Sequence, residues 1–147
     1  MVRKEYNDDP FQLSRFIKAQ ELEYDQAIKE LKRGKKNGHW MWYIFPQMVG
    51  LGISHDSNYY GIKSRTESIA YQNHPVLGNR LRDCSHVILG LKENSISKIF
   101  SHPDDMKLRS SMTLFALINE HNSIFKQVLE KFFDGELDPL TVKILNP

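Results

Sequence analysis

The sequence predicts an all-α fold, one compact domain of about seven helices. Three observations carry this. Apolar residues recur at spacings of three and four along most of the chain, the period of a buried helical stripe. Asp-Pro, Ser-x-x-Glu and Gly stand at the ends of these stripes, where helix caps belong. Few segments show the strict alternation of a half-buried strand.

Asp9-Pro10 pairs an acidic N-cap with a proline suited to the first helical position, so a long helix is expected to begin there. Leu13, Phe16, Ile17, Tyr24, Ala27, Ile28 and Leu31 form its apolar face, and Arg15, Lys18, Glu21, Asp25 and Lys29 its polar face. Gly34 supplies the stop. The block from His39 to Phe45 is apolar nearly throughout, a pattern shared by a buried strand and a short buried helix. A lone strand would leave both backbone edges unpaired, so a short helix closed by Pro46 is expected. Gln47 to Asn58, with Gly50, Gly52 and the run Ser54-His55-Asp56-Ser57, reads as a long loop.

Ser64-Arg65-Thr66-Glu67 has the form of a capping box, opening a helix to about Asn73. His74-Pro75 restarts the chain for a helix whose stripe is Leu77, Leu81, Cys84, Ile88 and Leu91. Ser95 can cap a short turn carrying Ile96, Ile99 and Phe100. Pro103, Asp104 and Asp105 then start a helix to about Asn119, the two carboxylates favoured by the helix dipole. Ser123 to Phe133 is the next helix, with Phe125, Val128, Leu129 and Phe132 inward and Gly135 near its end. Asp138-Pro139 opens a last short one, with Leu140, Ile144 and Leu145 to bury.

At 147 residues, 40% of them apolar and with eight Phe, six Tyr and two Trp, the chain can build a core without disulfides or metals. No repeat or linker divides it, so residues 1–147 are read as one domain, with 1–8 a flexible tail. Twenty Lys plus Arg against 18 Asp plus Glu leave a net charge of +2, which argues against a dedicated nucleic-acid binder. The single cysteine, Cys84, excludes an internal disulfide framework and fits a reducing compartment. The polar N-terminus does not resemble a signal peptide, and no apolar run approaches the roughly 20 residues of a membrane span. A soluble, cytoplasmic protein with no membrane partner is the expectation.

Several blocks together carry a resemblance. They are Phe11-Gln12-Leu13-Ser14-Arg15-Phe16, His39-Trp40-Met41-Trp42-Tyr43-Ile44-Phe45-Pro46-Gln47, Gly50-Leu51-Gly52-Ile53-Ser54, the run from His74 to Leu81 and the run from Pro103 to Phe115. In this order they resemble the domain-of-unknown-function 1810 family, over about Asp9 to Leu145. The resemblance implies a compact, all-helical cytosolic protein and no established activity. Some members are labelled calpastatin, a disordered protease inhibitor. That label does not suit a chain with this density of aromatics in amphipathic stripes.

Two regions carry candidate chemistry. In the first, the basic residues Lys32, Arg33, Lys35 and Lys36 precede Trp40 and Trp42, as in a site that takes phosphate on cations and a base on an indole. Two tryptophans so placed also suit core packing, and the basic run also suits a helix C-terminus. His39, between polar loop and apolar block, is a candidate acid or base. In the second region, Lys107 and Ser111 share a helix face, with Ser110 one step round. Activation of a serine by lysine would need this pair, but the Ser-x-x-Lys order is missing. Ser111 lies in line with Leu108, Phe115 and Ile118, where its hydroxyl can bond the carbonyl one turn earlier.

The six histidines, at 39, 55, 74, 86, 102 and 121, form no His-x-x-x-His pair, so no metal is expected, and no cofactor fingerprint is present. The leading expectation is a cytosolic protein that binds a small anionic or nucleotide-like ligand, an enzyme in one version of that reading. His39 and Lys107 are the candidates for catalysis, and Trp40, Trp42, Gln47, Ser54, Ser110 and Ser111 for ligand binding. The alternative from a different class is a protein-interaction or regulatory module with an exposed apolar patch. A third reading makes the same polar residues a buried network that fixes helix packing. Nucleic-acid binding through Lys32 to Lys36 ranks last.

Overall fold

The computed structural model describes residues 9–119 and 121–146. The tail expected over residues 1–8 lies outside the described residues. Among the described residues there are nine helices: α1 (Ser14–Arg33), α2 (Met41–Ile44), α3 (His55–Tyr59), α4 (Arg65–Asn73), α5 (Leu77–Leu89), α6 (Ile96–Ile99), α7 (Asp104–Leu117), α8 (Ile124–Phe133) and α9 (Pro139–Leu145). The fold is all-α. Six of the nine helices have seven residues or more. The sole extended pairing among the described residues is an isolated parallel bridge between Met48 and Ile62.

The caps explain most of the boundaries. The Asp9 carboxylate accepts from the backbone N–H of Leu13 and Ser14 at 2.6 and 3.1 Å. It therefore caps a turn that precedes α1, and the helix begins four residues later than Pro10 suggests. Gly34 ends α1 with φ +83°, a left-handed conformation that glycine adopts without a Cβ penalty. Ser64 and Ser123 accept from the backbone N–H three residues on, as their helices require. Asp138 does the same for α9. His74 caps α5 through Nδ1, which accepts from Val76 and Leu77.

Helices α1, α5, α8 and α7 pack in sequence around the core, α4 lies against α5 and α7, and α9 closes over α7. An aromatic line crosses this core: Phe16 meets Tyr71 edge-on at 5.0 Å, Tyr71 meets Phe115 at 5.7 Å, and Phe115 meets Phe125 at 5.6 Å. A second cluster joins Trp40, Phe45 and Phe100. Leu77, Leu81, Cys84 and Ile88 are all buried, as their spacing predicts. Burial pushes the Cys84 thiol up to about 12, so it is an unreactive core group. Among the described residues no helix is long and apolar enough to cross a membrane.

Four expectations need correction. Arg15 is not on a solvent face: it is 6% exposed, and its five N–H groups meet five acceptors, the Glu67 carboxylate at 2.6 Å among them. The other four are the carbonyls of Phe11, Gln12, Tyr59 and Gly61, which the chain folds over this end of α1. The stretch from Gln47 to Asn58 is not wholly loop, because Ser54 caps the short helix α3 through its hydroxyl. Helix α7 ends at Leu117, two residues before Asn119. In α9 it is Thr141 that is buried, its hydroxyl held by Asp138, while Leu140 and Ile144 remain exposed.

Candidate functional site

The site grows from the end of α1. Glu30 is 2% exposed, and its Oε1 accepts from the backbone N–H of Asn37 and Gly38 and from Trp40 Nε1, each at 2.8 Å. Its Oε2 accepts from the Gln26 amide at 2.8 Å. Burial pushes the Glu30 carboxyl up, but these bonds outweigh it and hold the group at about 2. One carboxylate thus fixes residues 37–40. Beside it, Lys36 donates its backbone N–H to the Ile99 carbonyl at 2.8 Å, which turns the Lys36 side chain toward α7.

On α7, Asp104 receives two lysines. Lys36 Nζ is 2.7 Å from Asp104 Oδ2, and Lys107 Nζ is 3.3 Å from Asp104 Oδ1. Lys107 Nζ also stands 4.0 Å from the centroid of the Trp42 ring. Asp104, expected to serve mainly the helix dipole, is therefore the bridge of a Lys36–Asp104–Lys107 chain that ends on an indole. Two cations on one carboxylate leave one positive charge in excess within that chain. Asp105 takes a separate partner, His102 Nδ1 at 3.0 Å.

Trp42 and Lys107 form a wall between two cavities. Cavity one, of about 220 Å³, has Trp42, Leu51, Met106 and Leu140 as its apolar lining. Its polar lining is Gln47, Lys107, Ser110 and Asp138. Cavity two, of about 300 Å³, is lined by Lys36, His39, Asp104 and Lys107, with Asp56 contributed by α3. Its surface is mostly polar and that of cavity one mostly apolar, so the two sides of the indole differ in chemistry.

Of the candidate residues, five meet at this wall: His39, Trp42, Gln47, Lys107 and Ser110. Three lie elsewhere. Trp40 is 1% exposed, packed between Phe45 and Phe100 and bonded to Glu30, so it is a core anchor. Ser54 lines neither cavity and caps α3. Ser111 is fully buried, and its Oγ has no hydrogen-bond partner, contrary to the bond expected with the carbonyl one turn earlier. Its neighbour Ser110 makes that bond, to the Met106 carbonyl at 3.1 Å. Sequence reasoning missed Glu30, Asp56 and Asp138. The signal for Glu30 was legible, since a glutamate three residues after Ala27 and beside Leu31 falls on the apolar stripe.

A family model described as protein of unknown function (DUF1810) matches residues 10–145, nearly the whole chain. The chain belongs to that family. The DUF1810 fold seen here also matches the crystal structure of the conserved hypothetical protein Rv1873 from Mycobacterium tuberculosis, with a TM-score of 0.92 and 45% sequence identity. That match covers 95% of this chain and 99% of the mycobacterial one. No curated protein matches the DUF1810 chain. Among its described residues, no three His, Cys, Asp or Glu side chains cluster so as to hold a metal ion.

Proposed function

We propose that this DUF1810 protein binds a small organic anion in the cytosol, at the wall formed by Trp42 and Lys107. The observation that carries the reading is the Lys36–Asp104–Lys107 chain, half sunk between two cavities and closed by an indole. The excess cation would meet a phosphate or carboxylate, and the apolar side of Trp42 would meet the rest of the molecule. His39, exposed at the rim of cavity two, would donate a hydrogen bond or exchange a proton with the ligand. Asp56 on the same rim would accept from a ligand hydroxyl.

The test is a thermal-shift panel of phosphate-bearing and carboxylate-bearing metabolites against the intact protein and Lys107→Ala. A ligand that binds only the folded state raises the melting temperature with the logarithm of its concentration over its Kd. A rise of several degrees that Lys107→Ala abolishes supports the reading. A rise that Lys107→Ala leaves unchanged places the ligand elsewhere.

A second reading draws on the rim of cavity one, where Met106 and Leu140 are exposed. Apolar side chains at a rim also suit a protein partner, whose core contact would be this edge. Absence of any small-molecule shift, with capture of a partner that Leu140→Asp abolishes, would favour it.

A further inference from the structure

We infer that the ligand is a nucleotide whose base carries an exocyclic amino group, the base seated in cavity one and the phosphate on the lysines of cavity two. The inference rests on the anion-binding reading and names the other half of the molecule.

Gln47 supplies the first argument. It is 7% exposed, its backbone carbonyl accepts from Ile62 at 2.9 Å, and it lines cavity one. Among the described residues its side-chain amide has no protein hydrogen-bond partner, and since Ser111 Oγ is the one buried side-chain polar atom left unpaired there, the amide is reached by solvent at the cavity wall. An amide held at a cavity wall, open to solvent and with no partner from the protein, is free to pair with what enters. A carboxamide offers one donor and one acceptor side by side, the pattern that matches the edge of a nucleobase.

The second argument is the polarity of the remaining lining. Ser110 gives its hydroxyl hydrogen to the Met106 carbonyl and so presents only lone pairs to the cavity. Asp138 accepts from Thr141 through Oδ2 alone, at 3.0 and 2.5 Å, and its Oδ1 has no partner among the described residues. Acceptors therefore outnumber donors at this end, and the complementary ligand group bears N–H. Trp42 gives a flat apolar surface on which a ring can stack, and Leu140 an aliphatic contact beside it.

The third argument is continuity. Trp42 and Lys107 line both cavities, so one molecule can place a ring on the apolar side of the wall and an anion on the polar side. In cavity two the anion faces Lys36, Lys107 and His39, with Asp104 already held by both lysines and Asp56 left for a ribose hydroxyl.

The test is isothermal titration of the intact protein with AMP, CMP, UMP, ribose 5-phosphate and inorganic phosphate. AMP and CMP are expected to bind at least about tenfold more tightly than UMP and ribose 5-phosphate. Gln47→Leu is expected to bring AMP down to the affinity of ribose 5-phosphate while leaving ribose 5-phosphate unchanged. Circular dichroism checks that this variant folds, and Ser110→Ala, which keeps the amide, gives a second, smaller loss for AMP alone. If all the phosphates bind with equal affinity and Lys107→Ala weakens them all, the base assignment is wrong and the anion reading stands. If none binds, the nucleotide is ruled out, and the anion reading falls with it when the carboxylates of the thermal-shift panel give no rise either.

Discussion

The indole N–H of Trp40 donates to the Glu30 carboxylate at 2.8 Å, on the same oxygen that receives the backbone of Asn37 and Gly38. A core tryptophan and the loop that leads to His39 are thereby tied to one buried charge. The folded-state pKa of Glu30, about 2, lies below its ordinary value of 4.5. Its contribution to stability is therefore complete above about pH 4.5 and is lost as the pH falls from there through about 2. Glu30→Gln is expected to cost about 2 kcal/mol at pH 7, since it leaves a buried donor facing donors. Urea titration followed by tryptophan fluorescence checks this, and the gap between wild type and variant should close on going to pH 2. A gap that stays constant with pH would show that the carboxylate charge does not act here.

Arg15 and Glu67 form a buried ion pair, at 2.6 Å with side chains 5% and 3% exposed. Removing one partner leaves a charge in the core, so Arg15→Met is expected to destabilise by about 3–5 kcal/mol. The double variant Arg15→Met with Glu67→Leu should recover part of that loss, because no lone charge remains. Chemical denaturation of the three proteins measures the coupling. Strictly additive losses would contradict it.

Gly78 sets the corner between α4 and α5. A Cβ built there would stand 1.9 Å from the Gln72 carbonyl oxygen, a backbone atom that cannot swing away. Alanine ordinarily favours a helix over glycine by about 1 kcal/mol. At this position the overlap outweighs it, and Gly78→Ala is expected to lose at least about 2 kcal/mol. A thermal or urea midpoint raised by this variant would show that the two helices approach less closely than described.

The helices were legible in the sequence because their signals are local. Ser64, Ser123 and Asp138 cap where capping residues are expected, and the Leu77, Leu81, Cys84 and Ile88 stripe is buried as its period requires. What was not legible depends on distant chain. Arg15 reads as a surface residue on its own helix, and only the carbonyls of Tyr59 and Gly61, over forty residues away, make it a buried one. Leu140 and Ile144 fit an inward stripe, yet the Asp138 cap on Thr141 turns the helix so that the threonine enters instead. At the candidate site, Trp42 and Trp40 are two positions apart and cannot share a face, but nothing local says which one enters the core. Glu30 decides it by taking the indole of Trp40.

Ser110 and Ser111 set the proposed binding against packing within two adjacent residues. Ser111 is fully buried with no partner for its hydroxyl, so Ser111→Ala removes an unpaired polar group and little volume. The expected gain is about 1 kcal/mol, or roughly 3 °C in Tm for a chain of this size, with AMP affinity unchanged. Ser110 lines cavity one with its hydroxyl already bonded to the Met106 carbonyl, so Ser110→Ala is expected to leave stability within about 0.5 kcal/mol. What it should lose is AMP affinity, because the acceptor presented to the cavity goes with the hydroxyl. Paired thermal melts and titrations of the two variants read both effects. The opposite pattern, with Ser111→Ala weakening AMP and Ser110→Ala neutral, would move the ligand from the cavity wall into the helix interface.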